Sequence, residues 1–108
     1  MNSNPSRRTA DLLTICFKAG KAVKGFDSSE EAVKNGNASC LLTASDASEK
    51  TVKETAFIGN KYSVPVYGIP LAKEDISRLC GKATAVIAVT DKGFAEGFRK
   101  IISQSAQT

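Results

Sequence analysis

The chain has 108 residues, 42% of them hydrophobic, and 15 Lys and Arg against 11 Asp and Glu, a net charge of +4. That is enough chain for one domain with a single core, spanning 1–108 with its core at about 9–102, and it excludes wholesale disorder. The absence of His and the wide spacing of three Cys leave a zinc site without ligands, while the modest positive charge permits a nucleic-acid partner without demanding one.

Helix and strand patterns alternate along the chain. Leu12, Leu13, Cys16 and Phe17 form a helical stripe over Thr9 to Lys18, with Thr9 as N-cap and Gly20 as stop. A short extended piece, Lys21 to Lys24, follows. Ser28 and Glu31 have capping-box spacing, so a helix is predicted from Asp27–Glu31 through Ala32 and Val33, ending at Asn35-Gly36. Ser39 to Ala44 reads as a buried strand. Ser48 caps a helix to about Lys61, with Val52, Ala56 and Gly59 on its inner face. Val64 to Ile69 is a second strand, which Pro65 places at an edge or at a strand start. Leu71 to Cys80 is a helix with Ile76, Leu79 and Cys80 inward and Gly81 as its stop. Ala83 to Thr90 is apolar enough for a central strand. Asp91 opens a last helix carrying Phe94, Phe98, Ile101 and Ile102, and Gln104 to Thr108 is a polar tail. The predicted fold class is α/β, a three-layer α/β/α sandwich around a small mixed, partly parallel sheet.

No run approaches the roughly 20 apolar residues of a membrane span, and the N-terminus lacks an apolar signal core, so the expectation is a cytoplasmic protein with no membrane partner. Cys16, Cys40 and Cys80 sit among apolar neighbours and read as small buried hydrophobes, in keeping with a reducing compartment. Nothing in the pattern demands a dimer, and a monomer is expected.

Motifs for catalysis are missing. Gly81-Lys82-Ala83-Thr84 resembles the tail of a P-loop, but Ile76 stands where its first Gly is needed and a helix, not a strand, precedes it. There is no GxGxxG. Ser45 has no His or partnered Lys to activate it, so no enzyme and no cofactor are expected. Asp27, Glu30 and Glu31 suit a first helical turn, where carboxylates favour the dipole. Asp46 either caps the next helix or orders a ligand-facing loop.

A binding rim is the better reading. Arg7, Arg8, Lys18, Lys21 and Lys24 are offset only by Asp11 in the first 24 residues. Lys18, Lys21 and Lys24 could reach phosphates, beside a helix N-terminus whose N–H groups at Gly25 to Ser28 attract anions. Phe26 either packs as a staple beneath that helix or offers a face for base stacking. Loops that follow strands, including Ser45 and Asp46, gather at one edge of such a sheet.

The order of these motifs resembles the kink-turn RNA-binding ribosomal protein superfamily. The resemblance runs from the Lys-Gly turn and the helix ending at Asn-Gly, through Ser45-Asp-Ala-Ser48, Val64-Pro65 and Gly81-Lys82, to Ala85–Ala95. It covers about Thr9 to Ile102, and its last segment is most similar to the small bacterial, YlxQ-type branch. The resemblance implies an α/β/α sandwich and a structured, kink-turn-containing RNA partner in a ribosome- or translation-related role. It implies base contacts from the helix after the first glycine turn, through a motif of Gly, a small or polar residue, Asn, Glu, two variable residues and Lys. Here Gly25 keeps the glycine and Phe26 takes the second place, while Asp27, Ser28 and Glu31 stand where Asn, Glu and Lys are expected. It also implies that Lys82, Ala83 and Thr84 cover a flipped-out nucleotide, with Ser45 and Asp46 alongside. A carboxylate only accepts hydrogen bonds, and Glu31 exchanges a cation for an anion. The alternative is therefore a protein-interaction module on the same fold, one that has lost kink-turn readout and meets a basic ribosomal or translation protein.

Overall fold

The computed structural model describes residues 4–106, in the order α1 (Pro5–Lys18), β1 (Ala22–Lys24), α2 (Phe26–Lys34), β2 (Cys40–Thr43), α3 (Glu49–Tyr62), β3 (Val66–Gly68), α4 (Lys73–Cys80), β4 (Val86–Val89) and α5 (Lys92–Ala106). The strands form one mixed sheet in the order β1-β4-β2-β3. β4 runs antiparallel to both β1 and β2, and β3 lies parallel to β2 at an edge. Pro65 immediately precedes that edge strand, where its missing N–H costs no ladder bond.

Alternation along the two central strands divides the core between two helical layers. Cys40, Leu42, Ile87 and Val89 face α1, α4 and α5, against Leu13, Cys16, Ile76 and Phe98. Leu41 and Ala88 face α2 and α3, against Ala32, Val33 and Ile58. Every residue of β2 and β4 is buried, as the apolar runs predict. This is the expected α/β/α sandwich.

Several boundaries differ from the sequence reading. α1 begins at Pro5 rather than Thr9: the Asn4 side chain accepts from the Ser6 N–H at 2.9 Å, and Pro5 occupies the first turn, where no N–H is needed. Thr9 is buried within the helix, its hydroxyl donating to the Pro5 carbonyl at 2.7 Å. α2 begins at Phe26 with Gly25 as N-cap, so Ser28 and Glu31 form no capping box. The antiparallel ladder continues into Gly25, whose N–H donates to the Val86 carbonyl at 2.9 Å, and its φ of 96° turns the chain straight into the helix. On α3 the buried residues are Thr55, Ile58 and Gly59, whereas Val52 and Ala56 are exposed. The inner stripe is thus rotated from the one expected. Gln104 to Ala106, expected as tail, continue α5, and Arg8 donates to the Gln104 side chain at 2.7 Å. Residues 107 and 108 of that predicted tail lie outside the described residues.

Gly59 lets α3 lie close against the chain entering β3. A Cβ there would sit 2.5 Å from a Val66 methyl and 2.7 Å from the Val64 carbonyl oxygen. Ala normally stabilises a helix over Gly by about 1 kcal/mol. The Val64 N–H bond to the Gly59 carbonyl, at 2.8 Å, ties the two segments together and resists their separation. Gly59→Ala is therefore expected to lower stability, by about 1–3 kcal/mol in urea unfolding, against the helix-propensity trend.

Burial pushes the Cys16 thiol up to about 11 and the Cys40 thiol up to about 12; nearby negative charge, at Asp91 and Cys16 respectively, adds less. An unfolded chain releases these protons near pH 8.5. Above that pH the unfolded state binds fewer protons than the folded one, so stability falls as pH rises. Urea unfolding between about pH 7 and about pH 10 should show this decline, with a shallower slope in Cys40→Ala.

Candidate nucleic-acid interface

One end of the sheet collects most of the residues that the sequence singles out. β1 exits there into Gly25, β2 exits into Ala44 and Ser45, β3 exits toward Leu71, and β4 enters from Lys82–Ala85. Cross-links fix the arrangement. The Ala44 N–H donates to the Ala85 carbonyl at 2.9 Å, and the Ser45 N–H to the Leu71 carbonyl at 2.8 Å. These bonds leave the Ser45 and Asp46 side chains exposed on a rigid frame.

Asp46 resolves the choice left open by the sequence. It caps α4 rather than α3, its carboxylate accepting from the Lys73 N–H at 2.9 Å. α3 is capped by Ser48, which accepts from the Thr51 N–H at 3.1 Å. Asp75 accepts from the Ala72 N–H at 2.8 Å, completing the start of α4. Lys73 is thereby placed on the rim beside Asp46. Sequence reasoning passed over it, because the Glu74 and Asp75 that follow make the first turn of α4 net acidic and leave no local signal at Lys73.

α2 presents an uncapped N-terminus. Gly25 has no side chain to accept from the first turn, and the Ser29 N–H already pairs with the Gly25 carbonyl. The N–H groups of Phe26, Asp27 and Ser28 have no capping side chain, and Asp27 and Ser28 are exposed. Glu31 is exposed one turn further along, so the three positions that depart from the family motif share the outer face of α2. Phe26 is half-buried and packs on the α2–α3 core with Val23, Val64 and Val66, the staple-like role rather than an open stacking platform.

The basic residues divide. Lys24 donates to the Cys80 carbonyl at 3.4 Å and lies 5.9 Å from the centre of the Phe17 ring. It ties the β1–α2 turn to the end of α4, so its ammonium is engaged within the protein. Lys21 lies at the opposite end of β1, its carbonyl paired with the Thr90 N–H, about 13 Å of extended chain from Gly25. The geometry does not bring Lys21 to the rim.

The α4–β4 loop supplies exposed Lys82 and Ala83. Thr84 is buried instead; its hydroxyl donates to the Val86 carbonyl at 2.9 Å and shapes the loop from within. Gly81 carries the turn at φ 82°, and the Cys80 thiol donates to the Lys82 carbonyl at 3.4 Å. The rim thus combines outward backbone N–H groups at α2, the small exposed Ala83, and cations at Lys73 and Lys82. Carboxylates at Asp27 and Glu31 flank it. Such a surface can bind a phosphate-bearing chain through dipoles and local contacts more than through net charge.

Known proteins resemble this chain in sequence and in fold. The chain is 37% identical over 93 residues to the RNA-binding protein YlxQ of Bacillus subtilis strain 168, covering 85% of this chain and 89% of that one. It is 28% identical over 102 residues to the RNA-binding protein YlxQ of Enterococcus faecium, covering 94% and 98%. A protein of unknown function from Bacillus halodurans C has the same fold, with TM-score 0.82 and 26% identity over 91% of this chain and 98% of that one. The 15.5kD RNA binding protein of Giardia lamblia, at 18% identity and TM-score 0.75 over 96% of this chain and 89% of its own, shares the fold. Residues 8–98 match throughout, and the chain belongs to the ribosomal protein L7Ae/L30e/S12e/Gadd45 family.

Proposed function

We propose that this protein is a non-enzymatic RNA-binding protein of the bacterial cytoplasm that recognises structured, kink-turn-like RNA in a ribosome- or translation-related role. The observation that carries the reading is the juxtaposition of the uncapped α2 N-terminus with the α4–β4 loop, locked by the Lys24 bond to the Cys80 carbonyl. The names of the two YlxQ relatives support RNA as the partner. Backbone N–H groups of Phe26, Asp27 and Ser28 meet phosphate or base acceptors. Ala83 packs on an unstacked base, with Lys82 and Lys73 on adjacent phosphates and Ser45 and Asp46 bordering the pocket.

Asp27 and Glu31 weigh against tight readout, and they are what favours the protein-interaction alternative. A lost base contact typically costs about 1–3 kcal/mol. The remaining contacts are then expected to give selective but moderate affinity. A titration against a kink-turn RNA and a straight duplex of equal length, at two salt concentrations, is expected to show preference for the kink-turn that persists at the higher salt. Equal, weak, salt-abolished binding to both RNAs would instead favour a basic protein partner.

The triple change Asp27→Asn, Ser28→Glu, Glu31→Lys restores a donor, a carboxylate and a cation on the outer face of α2. It is expected to raise kink-turn affinity by about a hundredfold or more, since two regained contacts suffice for that. The same titration checks it, with no gain on the straight duplex expected.

A further inference from the structure

On the other face of the sheet from α1, α4 and α5, a groove of about 410 Å³ runs between α2 and α3. Phe26, Ile58, Phe57 and Tyr62 give it an apolar lining. Phe57 stands 66% exposed and Tyr62 37% exposed, two of the four large hydrophobic residues left in solvent among the described residues. Clustered apolar surface of this kind, rimmed by charge, marks an interaction site rather than scattered exposure.

The charges on α3 indicate what fits it. Lys34 pairs with Glu30 at 3.5 Å and Lys53 with Glu49 at 3.7 Å, each within its own helix. Glu54 and Lys61 take part in none of the ion pairs found among the described residues. Seven residues apart, they are separated by about 10.5 Å of helix rise and cannot pair with each other. Between them stand Phe57 and Ile58, three positions in from either end. Turned end for end, the series presents the opposite charge at each end and the exposed Phe57 ring near its centre, with the buried Ile58 forming the floor beneath it. A phosphate chain is a poorer match, because Glu30 and Glu54 interrupt the lysines.

We propose that the α2–α3 groove is a self-association interface, in which a second copy of this chain packs its α3 antiparallel about a two-fold axis between Phe57 and Ile58. Each Phe57 enters the other copy's groove, and each Glu54 faces the other copy's Lys61. The contact is isologous, so it closes as a dimer and builds no filament. Ser45, Asp46, Lys82 and Ala83 line no part of this groove, and the one shared residue, Phe26, gives its side chain to the groove and its backbone N–H to the rim.

Sedimentation velocity of the full chain without RNA, from about 5 to about 500 μM, tests it. A concentration-dependent shift from monomer to dimer is expected. Phe57→Ser should weaken the dimer at least about tenfold, as loss of a central aromatic does. Glu54→Lys and Lys61→Glu should each weaken it, and the double variant should restore it. Because the two side chains cannot reach each other within one helix, that rescue arises only across the interface. Circular dichroism of each variant confirms that the fold is retained. A monomer throughout the range overturns the proposal, as does a dimer indifferent to Phe57→Ser or not rescued by the double charge exchange.

Discussion

The molecule depends on β4, which among the described strands is the one paired antiparallel on both sides. Its residues Val86 to Val89 are each no more than 1% exposed, so it contributes core to both helical layers at once. Fully burying each Val or Ile is worth about 1.5–3 kcal/mol. The same strand sets the functional geometry. The Val86 carbonyl accepts from Gly25 and the Ala85 carbonyl from Ala44, which draws the turn before α2 and the loop after β2 to either side of one strand start. Three segments more than 15 residues apart in sequence thereby meet without any side-chain network of their own.

That economy explains why the rim is weakly charged yet well defined. Backbone dipoles at α2 and the Asp46 cap on α4 are fixed by the ladder, so their orientation costs little entropy when a ligand arrives. Lys24 illustrates the competition between stability and binding. Its ammonium satisfies a carbonyl at the C-terminus of α4, where a cation also favours the helix dipole. The same bond holds the two halves of the rim together. Lys24 therefore acts within the protein, holding the rim in place, while Lys82 stays exposed.

The fold was legible where hydrophobic period and punctuation agreed: the apolar runs of β2 and β4, the glycine stops at Gly36 and Gly81, and the Ser48 cap all occur where the pattern placed them. It was less legible where tertiary pairing overrides local chemistry. Ser28 and Glu31 have capping-box spacing, but Gly25 is already held by β4 and, as N-cap, starts the helix at Phe26, one residue before Asp27. The face of α3 shifted because Gly59 must lie against Val64 and Val66, and only the neighbouring backbone reveals that requirement. At the rim, adjacency in sequence misled: Lys21 and Lys24 are three residues apart, yet one lies at the far end of a strand and the other is tethered inward. The link from Asp46 to Lys73 spans 27 residues and has no local signature.

The two faces of α2 carry different constraints, and this bears on the acidic start that departs from the family motif. Its inner face supplies Ala32 and Val33 to the core, and Phe26 reaches the groove beside α3. Its outer face holds Asp27, Ser28 and Glu31 in water, where no packing requires them. Acid near the N-terminus of a short, nine-residue helix offsets the exposed dipole that Gly25 leaves uncapped, by about 0.3–1 kcal/mol. An Asn at position 27 would forgo that charge in exchange for a donor toward a base. The residues at these positions thus favour helix stability in the free protein. The retained glycine turn and the altered side chains are separable features: the first is demanded by the β1–β4 ladder whatever the ligand, and only the second is open to change by the partner.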